Sequence, residues 1–337
     1  MAGAPVGLMA NPASGKDIRR LVAHASVFDN EEKRNIIRRA ILGAAAAGVT
    51  EFVYMPDPNY LVENAIDGLN VEASFEAVPT PHTASALDTE RAAAQMCEAG
   101  CGCLISLGGD GTNRAIARGW QDAPLVAIST GTNNVFPVML EGTVAGMAAG
   151  LVATGRATVD EAARAAKVIH VDIEGEAGDL ALIDAVLLDE RFVGSRAIWQ
   201  PSKLRMAMLA RAEPAAIGMS AVGGLLSPVS ATDEGGLFLE VGEGGQRVLA
   251  PIGPGQFAEV SVWQLPANGQ RRRRADRAVL GARRRARTGT EARTTRVATG
   301  RARRSARGGR GAHDAAWSMP GHLPARDRGR VRWRLKS

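Results

Sequence analysis

The chain has 337 residues, of which 45% are hydrophobic and 4% aromatic, so about two domains with aliphatic, alanine-rich cores are expected. It has no apolar run of the ~18 residues that a membrane span needs, no basic segment before the short apolar stretch at its start, and three cysteines within 97–103. This composition disfavours integral membrane proteins and disulfide-rich secreted proteins, and we expect a cytoplasmic protein without membrane partners.

The net charge of +6 conceals two kinds of sequence. Residues 271–337 hold 21 arginines and one lysine against four acidic residues, a charge of +18, whereas residues 1–270 hold 19 basic and 31 acidic residues, a charge of −12. Arginine-rich segments bind nucleic-acid backbones, but this one lacks a helical period and the interleaved aromatic residues that stack on bases. We therefore expect no nucleic-acid partner and predict an irregular, disordered basic tail over 263–337.

Residues 1–158 alternate short apolar runs with helical patterns. Strands are predicted at 5–10, 52–55, 71–78, 103–107 and 124–128, and helices at 30–47, 59–69, 83–99, 114–120 and 142–154. Alternating strands and helices predict parallel βαβ units and a doubly wound α/β sheet. Ligands of such sheets bind at the carboxyl ends of the strands.

The pattern changes in the second part of the chain, which we predict to be a separate domain over 159–262. Strands are predicted at 168–173, 180–188, 191–199, 235–241, 247–251 and 258–262, with one helix at 202–212. Glycine-rich turns separate most of these strands and few helices intervene. The pattern therefore predicts a mostly antiparallel β domain.

The strongest local signal is the segment LGGDGTN at 107–113, which follows a predicted strand and precedes a helix. Glycines let backbone N–H groups approach a phosphate closely, and the helix N-terminus favours an anion. Thr112 or Asn113 is expected to cap that helix. Asp110 suits a phosphate site if it holds Mg²⁺ or accepts a proton from a substrate hydroxyl. The alternative is a tight Gly-Asp-Gly turn without a function.

Two further polar, glycine-bearing segments follow predicted strands, NPASGK at 11–16 and STGTNN at 129–134. With the first segment, they should converge at one edge of the sheet. The chain has no G-x-x-x-x-G-K-[ST] P-loop, and no G-x-G-x-x-G fingerprint follows a strand. We therefore predict a phosphate site of another type.

The segment at 108–112 resembles the GGDGT signature of the superfamily that joins NAD kinases with diacylglycerol and sphingosine kinases. The segment at 11–15 resembles the first loop of that superfamily. Together with ISTGTNNVFP at 128–137, the combination is most similar to the ATP-NAD kinase-like branch linked to acetoin catabolism, over residues 5–262. The resemblance implies an α/β nucleotide domain, a β-sandwich domain and an active site between them, with ATP-dependent phosphorylation of a hydroxyl on a small-molecule acceptor.

The resemblance also implies roles for particular residues. Asp110 would be the catalytic or metal-organising acid, with ATP as cofactor and Mg²⁺ held by Asp110 and the ATP phosphates. The implied nucleotide-binding residues are Asn11, Ser14, Gly108, Gly109, Gly111, Thr112, Asn113, Gly131, Thr132, Asn133 and Asn134.

One departure from the family concerns the acceptor. NAD kinases have an Ala-Leu-Asn-Glu element where this chain has Ala-Leu-Ile-Asp at 181–184. Asp184 can replace the acid, as a candidate substrate or metal acid, or it can be a strand residue facing solvent. Ile183 cannot make the hydrogen bonds of the amide, which disfavours NAD as acceptor. A dinucleotide, a small polyol or ketol, and a lipid stay open, and the alternative function is a non-catalytic nucleotide-binding regulator linked to acetoin catabolism.

A second departure is the missing late Asp-Gly-Glu element, whose acid assists proton transfer in the lipid kinases. Residues 282–288, ARRRART, can be encoded GCT CGA CGG CGA GCG CGA ACT. Without the first base, that stretch reads Leu-Asp-Gly-Glu-Arg-Glu-Leu. We therefore hypothesise a frameshift near 262–270 that truncates the second domain, exposes apolar strand edges and leaves little or no kinase activity. Exposed edges favour homo-oligomers but name no partner.

Overall fold

The computed structural model of the protein describes residues 3–15, 28–131, 133–173, 177–189, 201–265, 296–298 and 331–336. The chain divides into two compact units, residues 1–165 and 166–337, so the division falls shortly after the predicted boundary at 158. No helix in the described ranges is long and apolar enough to cross a membrane.

The first unit is built on a five-stranded parallel sheet. Its strands are β1 (Val6–Ala10), β2 (Glu51–Tyr54), β3 (Ser74–Ala77), β4 (Cys103–Gly108) and β5 (Leu125–Ser129). Its helices are α1 (Asn30–Ala46), α2 (Leu61–Ile66), α3 (Ala86–Glu98), α4 (Asp110–Gly119), α5 (Gly142–Ala153) and α6 (Val159–Ala162). The strand order is β3-β2-β1-β4-β5 with every pair parallel, which confirms the predicted α/β sheet. The order reverses between β1 and β4, where such sheets open a ligand crevice.

Both faces of this sheet are covered. Leu8 of β1 and Ile105 of β4 belong to the cluster that contains α1 and α5, whereas Met9 and Leu104 belong to the cluster that contains α3 and α4. Alternate residues of a strand therefore serve opposite cores, as expected for a sheet buried on both sides. At the start of β4, burial raises the pKa of the Cys103 thiol to about 12, so this thiol is uncharged and serves as a buried core residue.

Helices α1 and α5 pack closely through small residues. A Cβ atom added at Gly146 of α5 would overlap the carbonyl oxygen of Ala40 in α1, and one added at Gly142 would lie 2.7 Å from the carbonyl oxygen of Ile36. The backbones of the two helices therefore touch at these glycines. This contact fixes α1, whose first turn lies beside the loop after β1.

We expect Gly146→Ala to destabilise the protein by about 1–3 kcal/mol, because the methyl group must push two helix backbones apart. The sign is informative, since alanine in place of a helix-interior glycine ordinarily stabilises by roughly 0.5–1 kcal/mol. Urea unfolding of the two proteins measures the difference. Val144→Ala, at a position of α5 that is 65% exposed, is the control and should stay within about 0.5 kcal/mol of the parent. A Gly146→Ala variant as stable as the parent would show that the contact is loose.

The second unit is built from antiparallel strands. They are β6 (Val168–Ile173), β7 (Asp179–Ala181), β8 (Asp184–Leu188), β9 (Leu204–Leu209), β10 (Leu237–Gly253), β11 (Gln256–Leu265), β12 (Arg296–Ala298) and β13 (Val331–Lys336), with one helix, α7 (Met219–Leu226), in the described part. Two sheets have the orders β11-β10-β9-β8-β12 and β13-β6-β7, and every pair is antiparallel. The predicted antiparallel character is confirmed.

The predicted helix at 202–212 is wrong, because residues 204–209 form β9. Leucine, arginine and methionine favour a helix locally, but β9 pairs with β8 on one side and β10 on the other, and such tertiary pairing outweighs propensity. The strands predicted at 235–241 and 247–251 are one strand, β10, with an irregularity between Val241 and Gln246. The predicted strand at 191–199 lies outside the described residues.

Two strands fall within the segment predicted to be an irregular tail. β12 pairs with β8, and β13 pairs with β6. In β13, Val331, Trp333 and Leu335 alternate with basic residues, which is the period of a strand and the reason why this part is regular. The remainder of the predicted tail lies outside the described residues.

Candidate functional site

Three loops lie at the carboxyl edge of the parallel sheet. They are the first loop (residues 11–15) after β1, the glycine loop (residues 108–113) where β4 passes into α4, and the third loop (residues 129–134) at the end of β5. The Asn11 amide donates to the Thr112 hydroxyl at 2.9 Å, and the Thr130 hydroxyl donates to that of Ser14 at 2.7 Å. The predicted convergence of the three loops is thus confirmed, at the reversal point of the strand order.

The glycine loop is the direct junction between β4 and α4. Gly109 is the N-cap residue and α4 begins at Asp110, so the prediction that Thr112 or Asn113 caps the helix is wrong. Asn113 is 1% exposed, and its amide donates to the carbonyl of Gly109 at 2.9 Å while its oxygen accepts from the Ser106 hydroxyl at 2.7 Å. Asn113 therefore holds the junction together from inside.

The three glycines of this junction have different surroundings. A Cβ atom at Gly108 would lie 2.5 Å from Thr112, and one at Gly109 would lie 2.7 Å from the side-chain oxygen of Asn134. A side chain at Gly108 would therefore overlap Thr112, and one at Gly109 would displace the side chain of Asn134. Gly111 is exposed, and a Cβ atom there would meet nothing within 4 Å. The space in front of Gly111, in the first turn of α4, is therefore open to a ligand.

The carboxylate of Asp110 joins α4 to the segment that follows the third loop. It accepts from the backbone N–H of Phe136 at 2.8 Å and from that of Val135 at 3.1 Å. These bonds orient the carboxylate and fix the chain after β5. Asp110 thus has a positioning role in addition to any role toward a ligand.

The third loop is braced from within. The amide of Asn134 donates to the Ser129 hydroxyl at 2.8 Å, and that hydroxyl donates to the carbonyl of Gly131 at 2.7 Å. Asn133 lies in the same turn, whereas Thr132 lies outside the described residues. Hydrogen bonds between its own residues therefore hold the described part of the loop beside the glycine loop.

Lys33 is a residue of the site that the sequence patterns did not single out. It lies in the first turn of α1 and is completely buried, and its ammonium donates to carbonyl oxygens of the first loop. The spacing carried a signal, because Lys33 precedes Ile36 and Ile37 at the period of the buried face. A lysine on the buried face of a helix indicates that hydrogen-bond acceptors surround its ammonium.

Asp184 lies in the second unit, at the start of β8. It is partly buried and pairs with Leu209 of β9, while the adjacent Ile183 is 7% exposed. Its role as a substrate or metal acid stays a prediction, as does an active site between the two domains.

The carboxylates near the sheet edge are few in the described part of the chain. Among the ranges that the structure describes, no group of three or more His, Cys, Asp or Glu side chains could hold a metal ion. Magnesium ordinarily takes one or two carboxylates and completes its octahedron with water and substrate phosphates. One carboxylate, that of Asp110, suits this kind of binding.

Two family models match the chain, one for each unit. The model described as ATP-NAD kinase N-terminal domain matches residues 7–157, and the one described as acetoin catabolism protein X C-terminal domain matches residues 167–275. The fold and the three loops together with these matches define a kinase-like protein. Acetoin catabolism protein X from Cupriavidus necator is 40% identical over 281 residues, which cover 79% of this chain and 78% of the relative. The chain belongs to the acetoin catabolism protein X family.

Solved structures with a similar fold include two from Bacillus anthracis str. Sterne. A diacylglycerol kinase is 14% identical, with 73% of this chain and 75% of that chain covered and a TM-score of 0.39. A putative diacylglycerol kinase is 13% identical, with 73% and 77% covered and a TM-score of 0.40. Likeness at this level has no bearing on the substrate.

Proposed function

We propose that the protein binds ATP with magnesium at the carboxyl edge of its parallel sheet and, when its reading frame is intact, transfers the γ-phosphoryl group to a hydroxyl of a small-molecule acceptor. The observation that carries the proposal is the open space in front of Gly111, in the first turn of the ten-residue helix α4. A helix N-terminus favours an anion by roughly 0.3–1 kcal/mol. Backbone N–H groups of that turn would bind the phosphates.

The first loop and the third loop complete the cradle from either side. Asn11 and Ser14 are hydrogen-bonded to Thr112 and Thr130, so the first loop is linked to both of the other loops. A fixed cradle places donors before the ligand arrives and spares the cost of ordering them on binding. The proposed nucleotide contacts are those that the family resemblance implies on these loops.

Transfer forms a bond between the acceptor oxygen and the γ-phosphorus and breaks the bond to the oxygen that bridges to ADP. The hydroxyl proton must go to a base, and Asp110 is the side chain that we propose for this role or for organising magnesium. Magnesium, when bound, would neutralise charge on the phosphates. The hydrogen bonds from Val135 and Phe136 hold the carboxylate still for either task.

The acceptor class is a hydroxylated small molecule. The isoleucine at 183 lacks the amide found in NAD kinases, and the loss of its hydrogen bonds disfavours NAD as acceptor. The name of the relative refers to acetoin catabolism, and a small ketol or polyol is consistent with it.

A second candidate is a nucleotide-binding regulator without turnover. It is favoured by the engagement of Asp110 with two loop amides, which gives this carboxylate a structural task of its own. Measuring ATP binding and ADP release on the same preparation of the frame-restored chain separates the two candidates. Saturable binding without ADP release, with the natural acceptor candidates present, favours the regulator.

We expect Gly111→Ala to weaken MgATP binding about tenfold or more, which corresponds to about 1.4 kcal/mol. The new methyl group would occupy the space proposed for the phosphates, while the fold has room for it. The melting temperature should not fall, because alanine is the better helix former. Gly235→Ala, which also meets nothing within 4 Å, is the matched control and should leave affinity unchanged. Equal affinities for the Gly111→Ala variant and the parent would show that the phosphates do not bind at this turn.

A further inference from the structure

The ammonium of Lys33 donates hydrogen bonds to several carbonyl oxygens of the first loop. Its Nζ donates to the carbonyls of Ser14 at 2.7 Å, Asn11 at 3.0 Å and Pro12 at 3.1 Å, and to the side-chain oxygen of Asn30 at 3.1 Å. Lys33 is 0% exposed. An ammonium ion is costly to bury unless hydrogen bonds replace its water, and the first loop supplies most of the replacements.

The position of this lysine is unfavourable for the helix itself. Lys33 lies in the first turn of α1, after the N-cap residue Asp29, where the helix dipole disfavours a cation. Burial and the dipole both oppose a lysine here, so helix stability does not account for it. The bonds to the first loop offset both costs.

The charges that face Lys33 include the carboxylate of Asp57, which is 5% exposed and accepts from the backbone N–H groups of Asn59 and Leu61 at 2.8 Å. Burial raises the pKa of Asp57, and those N–H bonds and the charge of Lys33 oppose the rise. Asp57 therefore accepts hydrogen bonds from the backbone at the start of α2, whereas most of the hydrogen bonds of Lys33 go to the first loop.

The direction of the carbonyls determines what the other side of the first loop presents. In a trans peptide, the C=O and the following N–H point in opposite directions. Because the carbonyls of Pro12 and Ser14 point at Lys33, the N–H groups of Ala13 and Gly15 point away from it, and that of Ala13 donates to the side-chain oxygen of Asn11 at 2.9 Å. Without the ammonium, these carbonyls would be free to turn toward the phosphates and repel them.

We propose that Lys33 is a positioning residue for phosphate binding, which holds the carbonyls of the first loop away from the nucleotide and keeps Asn11 and Ser14 in register with Thr112 and Thr130. The inference rests on the proposed function, because it needs a phosphate at the sheet edge. Lys33 acts through the first loop, from behind it. It therefore differs from the lysines that contact phosphates directly.

The test is the affinity of the full chain for MgATP in Lys33→Met, which keeps the length of the side chain and removes its charge and donors. We expect the dissociation constant to rise about 30-fold, as for other losses of preorganised geometry. Ile41→Ala, a buried change in the same helix, controls for destabilisation and should change it by less than about threefold. Both variants are compared where circular dichroism shows them folded, and the backbone amide signals of Ala13 and Gly15 should shift in Lys33→Met alone.

Each outcome decides the inference. An affinity of Lys33→Met within about threefold of the parent, or an equal loss in Ile41→Ala, would overturn it. If Lys33→Met does not fold, Asn30→Ala removes one acceptor of the ammonium and should weaken binding by about two- to fivefold, whereas an unchanged constant would refute the role. If the parent itself shows no saturable binding, the proposed function fails first and the inference with it.

Discussion

Restoring the reading frame after about residue 262 is expected to turn an aggregation-prone chain with little or no kinase activity into a monodisperse, active phosphotransferase. The restored chain would regain the late Asp-Gly-Glu element, whose acid assists proton transfer in the related lipid kinases. General acid–base assistance is typically worth about 10²- to 10⁴-fold in rate. We expect ADP production to rise by at least about 100-fold on that ground.

The frameshift hypothesis stays a prediction, and apolar residues exposed on β10 and β11 motivate it. The match to the C-terminal family model continues to residue 275, beyond the proposed shift near 262–270. Phe257 and Trp263 of β11 and Leu249 of β10 are 66%, 50% and 68% exposed on one face of the hairpin. Apolar side chains exposed on the last strands before the proposed shift are what missing strands would leave behind.

The measurement combines size-exclusion chromatography with light scattering, thermal unfolding and an ADP-release assay on both chains. The matched control is the present chain truncated after Leu265. This truncation removes the arginine-rich residues without restoring the frame. We expect this control to stay inactive. A present chain that is already monodisperse, melts cooperatively and turns over ATP, or a gene sequence that confirms the present frame with related tails elsewhere, would refute the frameshift.

In the restored chain, Asp110→Asn is expected to lower phosphoryl transfer at least about 100-fold and to weaken MgATP binding much less. The amide keeps one oxygen for the N–H of Phe136, so the chain after β5 stays attached to α4. It loses the charge and the proton acceptor. A drop in the rate constant at a nearly unchanged dissociation constant therefore separates the proposed chemical role of Asp110 from its positioning role.

Asp88→Asn is the control for this substitution. Asp88 is also a first-turn carboxylate, at the start of α3, and accepts the backbone N–H of Thr83 at 2.8 Å. We expect transfer rates within about twofold of the restored chain, because Asp88 does not contact the three loops. Full activity of the Asp110→Asn protein would refute the chemical role of Asp110 and leave only its hydrogen bonds to the chain after β5.

The placement of the loops could be predicted from sequence because strand periodicity and glycine-bearing turns are local signals. β1, β4 and β5 lie where the apolar runs predict them, and parallel strands bring their carboxyl ends to one edge. The resemblance of the GGDGT segment then identified the glycine loop. The open space at Gly111 is a property of the folded packing.

Other features depend on contacts that no local pattern encodes. β9 is a strand because two neighbours pair with it, against its helical propensity. Lys33 meets the first loop across about twenty residues of chain, and Asp110 meets Phe136 across a similar span. Periodicity shows that position 33 faces the core, but only the folded backbone shows which carbonyls converge on it.

Isothermal titration of the frame-restored chain with MgATP tests whether a polyphosphate binds at the carboxyl edge of the parallel sheet. We expect saturable binding of one nucleotide per chain with a dissociation constant of about 1 mM or tighter, weakened in the Gly111→Ala variant. Heat changes that never saturate, or saturation with equal affinity in that variant, would contradict it.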